Sequence, residues 1–206
     1  MEITYHGLSC FRLRGRDCQV VLDPPQDSLS GLGKLKADIV VRTDGELQPE
    51  RLRPREGEAQ EVSGPGEFEV RGVAVNGLPA GDTTIVRLDI DDVRVAVLGR
   101  LNRQLTEEEV DELGRIDVLV VPVGGVDALG ATAATKLVNA VSPAIVIPAR
   151  YRSPIVAGSG GYEPVEKFAK EMGLAEDAWA PQPKLSLSGS LAGADDTRLV
   201  VLEPRG

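Results

Sequence analysis

One histidine, two cysteines and 3% aromatics are all that this 206-residue chain offers to metal, redox and base-stacking chemistry. His6 is the single imidazole, so a centre that needs two or more, as most catalytic zinc sites do, is excluded within one chain. A Ser-His-Asp triad would have to use His6 as its base. Cys10 and Cys18 make no disulfide framework and are too few for a thiolate zinc site; both read as small core hydrophobes in a reducing cytoplasm. No apolar run approaches the ~18–20 residues of a membrane span, and strand-like Glu2-Ile3-Thr4-Tyr5 opens without the regions of a signal peptide. The scarce aromatics leave few platforms for stacking single strands. Basic charge is also short: 23 Lys+Arg against 32 Asp+Glu give a net charge of −9, which repels nucleic acid and anionic lipid. These absences predict a cytoplasmic protein with neither nucleic acid nor membrane as partner.

What is present is a chain with 42% hydrophobic residues, enough for a substantial core. We expect one domain over 1–206 built of two related halves, near 1–104 and 105–206. The first half reads as β-rich, with short strand-like segments at 2–5, 9–14, 18–22, 37–41, 67–70, 72–77, 83–90 and 93–98. Asp91-Asp92 marks a tight hairpin, and 43–58 reads as a charged surface excursion. Then the grammar changes. Thr106-Glu107-Glu108-Glu109 is a capping box that starts a short helix. Buried strands at 117–123 and 144–148 alternate with helices at 131–141 and 164–172, and strand-like pieces at 184–188 and 197–202 follow. Strands followed by βαβα alternation predict an α/β fold of sheets covered by helices.

Several blocks in order carry a resemblance. They are Ile3-Thr4-Tyr5-His6-Gly7-Leu8-Ser9-Cys10-Phe11 with Leu22-Asp23-Pro24; Lys36-Ala37-Asp38-Ile39-Val40; Gly64-Pro65-Gly66-Glu67-Phe68-Glu69-Val70; Val97-Leu98-Gly99; Asp117 to Gly125; and Val146-Ile147-Pro148-Ala149-Arg150-Tyr151. The ordered set, spanning most of 1–172, resembles the metallo-β-lactamase superfamily, in particular its small bacterial predicted zinc-dependent hydrolases. The resemblance implies a four-layer αββα sandwich with its site along one edge, where loops leave the strand ends. It also implies metal held by an H-x-H-x-D-H loop, a further histidine, an aspartate and a last histidine, the ions turning water into hydroxide.

At the positions that resemblance assigns to ligands, this sequence has other residues. The loop positions are Asp44, Glu46, Gln48 and Pro49. The aspartate after Leu98-Gly99 is Arg100, and the final histidine is Arg150. The middle histidine has no counterpart, because Leu78-Pro79-Ala80-Gly81-Asp82 runs straight into the next strand. Arginine is a permanent cation that repels divalent metal and pairs with carboxylates in a bidentate fork. The expectation is therefore an internal ion-pair cluster of Asp44, Glu46, Arg100 and Arg150 in place of a metal centre, with no cofactor and no catalytic residue. Such a protein would be a binding or assembly protein for a small anion or a protein partner, a homo-oligomer being one form it could take. The competing readings are a hydrolase with Asp44, Glu46 and Asp82 as oxygen ligands for a divalent ion, or an anion-binding protein using Arg100 and Arg150.

The remaining features read blandly. His6 reads as a partly exposed structural residue, and Ser9 and Ser63 lack an activating base. Gly64-Pro65-Gly66 and Gly124-Gly125 read as tight turns. Gly158-Ser159-Gly160-Gly161 lacks the Lys and Ser/Thr of a phosphate loop. Arg51, Arg53 and Arg55, surrounded by Glu50, Glu56 and Glu58 with no aromatic between them, read as a solvated loop.

Overall fold

In the computed structural model, residues 1–24, 36–43, 59–194 and 196–205 are described, together with the backbone of 53–54. The chain begins with β1 (Glu2–Tyr5), β2 (Phe11–Arg14), β3 (Gln19–Leu22), β4 (Lys36–Ala37), β5 (Ile39–Arg42), β6 (Arg53–Pro54) and β7 (Gln60–Ser63). Four longer strands follow, β8 (Gly66–Val70), β9 (Val73–Ala80), β10 (Thr83–Ile90) and β11 (Val93–Val97). Then come α1 (Glu107–Leu113), β12 (Val118–Pro122), α2 (Ala131–Val141), β13 (Ile145–Ala149), α3 (Val165–Glu171), β14 (Leu185–Ser186) and β15 (Arg198–Leu199).

Two mixed sheets form from these strands, in the orders β14-β1-β2-β3-β5-β7 and β15-β13-β12-β11-β10-β9-β8; β4 and β6 pair separately. Ile3, Phe11 and Leu13 of the first sheet and Val95, Val97 and Val120 of the second share one apolar core. Every residue of β12 and β13 is buried, as parallel strands covered on both faces require. Helix α2 turns Ala134, Leu137 and Val138 into that core, and α3 adds Phe168 and Ala169. All helices among the described residues come after residue 106, so the helical layer they show belongs to the second half of the chain.

Local chemistry explains the boundaries. Thr106 Oγ1 accepts from Glu109 N, and Glu109 Oε2 accepts from Thr106 N, closing the capping box at α1. Asp91 and Asp92 both take positive φ, 52° and 65°, the mirror-image turn that suits the twist of a two-residue hairpin. The strand expected at 9–14 begins at Phe11, because Cys10 N donates to Gly7 O and closes a turn first. Strand β7 escaped the sequence reading: Gln60 and Glu61 are exposed and only Val62 is buried, so it shows no apolar pattern. The closing strands shrink to two residues each.

The same device opens one parallel strand in each sheet. Asp38 precedes β5, and its carboxylate accepts from Gln19 N at 2.8 Å on the neighbouring strand. Asp117 precedes β12 and accepts from Arg94 N at 2.8 Å on its neighbour. Each carboxylate is fully buried and pairs with an arginine at 3.0 Å, Arg71 for Asp38 and Arg115 for Asp117. Both therefore start parallel strands in register by satisfying a backbone N–H that would otherwise lack a partner.

Candidate functional site at the strand-end rim

In sheets with parallel strands, loops leaving the carboxyl ends converge and build the usual ligand crevice. Here β3 and β5 of one sheet and β11, β12 and β13 of the other deliver Asp23, Thr43, Arg100, Asp127 and Arg150 to that rim. Asp23 has φ 39°, and its carboxylate receives Thr43 N at 2.7 Å and Thr43 Oγ1 at 2.6 Å. Thr43 O in turn accepts from Thr84 N at 2.7 Å and Thr83 Oγ1 at 3.0 Å, which ties the rims of the two sheets together. Gly99 lies against the Thr43 side chain so closely that a Cβ there would collide with Thr43 Oγ1. Only a glycine lets the residue before Arg100 approach like this, and its φ of 55° also favours one.

Arg150 directly follows β13 and sits in the left-handed region at φ 52°. Its guanidinium is almost fully buried. Nη2 donates to Asp127 Oδ2 at 2.6 Å and to Tyr162 Oη at 2.6 Å, and Nη1 donates to Ser9 Oγ at 3.2 Å. Tyr162 Oη donates to the other carboxylate oxygen of Asp127 at 3.2 Å, closing a ring of three groups. The guanidinium carbon also stands 5.3 Å from the Tyr162 ring centroid. Arg100 reaches the same Asp127 Oδ2 at 3.1 Å but keeps 47% of its side chain exposed. Burial alone would raise the Asp127 pKa, yet its bond to Arg150, with the charge of Arg150 and Arg100, carries it below the usual carboxylate value. Burial raises the Tyr162 phenol above its ordinary value, so it stays protonated and donates. Gly124 packs on Arg150 O, where a Cβ would collide.

Arg100 and Arg150 do come together, and their shared anion among the described residues is Asp127, which the sequence reading did not single out. Asp44 and Glu46, with Gln48 and Pro49, lie outside the described residues, as does the basic patch of Arg51, Arg53 and Arg55 apart from the Arg53 backbone. Asp82 is exposed at the tip of the β9–β10 turn. Ser9, dismissed as a nucleophile, has a role as the acceptor from Arg150 Nη1. The sequence carries no distinctive signal for Asp127: its role arises only where the ends of β11, β12 and β13 converge. Arg42 is a second buried arginine at this end, donating from Nη1 to Pro24 O at 2.8 Å and from Nε to Glu61 Oε1 at 3.3 Å.

His6 corrects the expectation of partial exposure. It is buried, with Nε2 3.3 Å from Thr4 Oγ1, in a strand-end turn where its backbone N–H donates to Cys10 O. Burial, then the nearby Arg12 and Arg205 cations, lower its pKa to about 4, so it is neutral near pH 7. Cys10 is buried and its thiol pKa is raised, which makes it inert packing.

The sequence profile of the β-lactamase superfamily domain matches residues 2–150. The chain belongs to the β-lactamase superfamily. A metal-dependent hydrolase of Archaeoglobus fulgidus is 32% identical over 109 residues, which are 52% of this chain and 45% of that protein. The alignment thus spans less than half the length of that curated relative. A Thermotoga maritima structure, described as a proposed Zn-dependent hydrolase of the metallo-β-lactamase superfamily, superposes with a TM-score of 0.81. That comparison has 26% identity and covers 98% of this chain and 99% of the other. An isothiocyanate hydrolase from Delia radicum gut bacteria, at 12% identity, shares the fold with a TM-score of 0.61 over 92% of this chain and 100% of the other. The architecture is accordingly the metallo-β-lactamase-like α/β sandwich.

The metal that this superfamily implies does not fit the rim residues described. Two guanidinium groups stand at positions the resemblance gives to ligands, and the nearby carboxylate is held by both. Among the described residues, no group of three or more His, Cys, Asp and Glu is placed to hold an ion. A divalent cation at Asp127 would have to displace the Arg150 pair and leave a buried cation unpaired, which is strongly unfavourable.

Proposed function

We propose that this protein is a cytoplasmic binding or assembly member of the metallo-β-lactamase fold, in which fixed protein charge stands where relatives hold metal. The observation that carries the reading is the Arg150 guanidinium, buried and held by Asp127, Tyr162 and Ser9 at the end of β13. This arrangement binds and orients; it supplies no hydroxide and no base. His6, the one imidazole, is buried at a strand end and engaged with Thr4.

Elemental analysis of protein purified without chelator, with turnover assays on phosphodiesters and thioesters in added zinc or manganese, tests the reading. The expected result is far less than one metal ion per chain and no metal-stimulated turnover. One ion per chain with multiple-turnover hydrolysis would overturn it and restore the hydrolase reading built on Asp44, Glu46 and Asp82.

A further inference from the structure

Strand β8 closes one side of the second sheet and, among the described residues, pairs only with β9. The turn between them is Arg71-Gly72, with φ 50° and 75°, so Val70 and Val73 exchange the first ladder bonds. Antiparallel bonding then alternates. Phe68 bonds to Val75, while Glu67 and Glu69 turn their N–H and C=O groups away from β9. No other group among the described residues takes up those donors and acceptors. They form an open template for a further strand.

The side chains of β8 divide between two faces. Phe68 shares the face of Val75, which is in the core, yet it stays 38% exposed, with its ring beside Gly66. Glu67 and Glu69 lie on the opposite face and are exposed. The charged residues on that face of β8 to β11 are Glu67, Glu69, Arg87, Asp89 and Arg94. Arg94 pairs with Asp89 at 3.5 Å. Arg87 donates to the carbonyls of Glu112 and Leu113 and stands two strands, roughly 10 Å, from Glu67. Arg71, at the turn, pairs with buried Asp38 of the other sheet. The edge therefore keeps the negative charge of two glutamates, which meet no cation among the described residues.

Charge selects the occupant. A second copy paired through Phe68 would set each Glu67 opposite a Glu69, and like charges directly opposite destabilise a sheet. An antiparallel strand with basic residues at alternate positions is complementary instead. Its basic side chains fall opposite Glu67 and Glu69. The apolar residue between them falls opposite Phe68, in the closer type of antiparallel pair, with Cα atoms about 4.5 Å apart. We infer that β8 is the docking edge for an extended basic segment of a partner protein, its lysines or arginines alternating with aliphatic residues and its backbone bonded to Glu67 and Glu69. The edge lies three strands from β11, apart from the arginines of the rim, so the inference does not depend on what the rim binds.

Fluorescence anisotropy of a labelled Lys-Val-Lys-Val-Lys-Val-Lys peptide with the full chain tests the inference. The same residues in blocked order, Lys-Lys-Lys-Lys-Val-Val-Val, are expected to bind at least tenfold more weakly, because charge alone does not add a strand. Glu67→Lys/Glu69→Lys, verified as folded by circular dichroism, is expected to weaken the alternating peptide at least tenfold. Glu107→Lys/Glu108→Lys on α1 changes the net charge equally and is expected to leave that affinity within about twofold. Hydrogen exchange at the Glu67 and Glu69 amides is expected to slow when the alternating peptide is bound. Absence of binding, equal binding of the blocked peptide, an equal loss in the α1 variant, or unchanged exchange at β8 would each overturn the docking edge. So would a dimer of the free protein that Glu67→Lys/Glu69→Lys abolishes in sedimentation, since the edge would then belong to a second copy.

Discussion

At the hairpin end of the sandwich, Arg16 meets Asp91 at 3.5 Å and Asp92 at 3.8 Å while 73% of its side chain stays exposed. At the rim, Arg150 meets Asp127 at 2.6 Å with 10% of its side chain exposed. Both ends also bend the backbone into positive φ. At the hairpin end Arg71, Asp91 and Asp92 do so inside two-residue turns, where strand twist demands it. At the rim Leu8, Asp23, Val126 and Arg150 do so where the chain leaves strands and turns toward the charged cluster. The same residue types and torsions thus close hairpins at one end and assemble a site at the other. Burial decides between them, because solvent screens the Arg16 pairs far more than the Arg150–Asp127 pair.

The largest effect that tests this contrast is loss of Asp127. Asp127→Ala leaves the buried Arg150 without its carboxylate and is expected to cost about 3–5 kcal/mol in urea unfolding. Arg16→Ala at the exposed end is expected to cost less than about 1 kcal/mol. Equal costs would remove the distinction between the ends.

Acid comes next. The unfolded chain protonates His6 near 6.5, while the folded chain keeps it neutral down to about 4. Between those values the unfolded state binds the proton that the folded state refuses. Stability present above pH 6.5 is therefore lost as pH falls toward 4, by up to about 3 kcal/mol. Glu109, held near 2 chiefly by its bond to Arg103, adds loss only below its ordinary value of 4.5. His6→Gln should flatten the upper window in pH-dependent unfolding and leave the lower one. A profile unchanged by the substitution would contradict this placement of His6.

Gly99→Ala drives a Cβ into Thr43 and should cost about 1–3 kcal/mol. Gly72→Ala, also at positive φ but with nothing near its side, should cost about 1 kcal/mol, from conformation alone. Thermal unfolding of the pair reads the difference, and a Gly99→Ala no worse than Gly72→Ala would dissolve the inter-sheet contact. The smallest effect has the opposite sign. Val126→Asn should stabilise the protein by about 1 kcal/mol, because Asn tolerates the left-handed region. A destabilised variant would mean that Val126 is not strained.

Much of the fold could be read from residues. The buried runs at β5, β12 and β13, the capping box at Thr106 and the Asp91-Asp92 turn are local patterns with local causes. Strand β7 could not be read that way, since polar Gln60 and Glu61 form a strand only because β5 offers a parallel partner. The site divides along the same line. Arg100 and Arg150 stood out because they occupy places where a resembling family holds metal. Asp127 did not, because one aspartate among 32 acidic residues acquires meaning only when three strand ends converge on it. The repeated use of Asp38 and Asp117, each capping a neighbouring strand, is visible only in the sheet.

The most direct test of the account is an anomalous difference map from crystals grown without chelator and soaked in zinc or manganese. The account predicts no peak at the ends of β11, β12 and β13, with the Arg150 guanidinium seated on Asp127. A peak coordinated by Asp127 with Arg150 swung aside would contradict it.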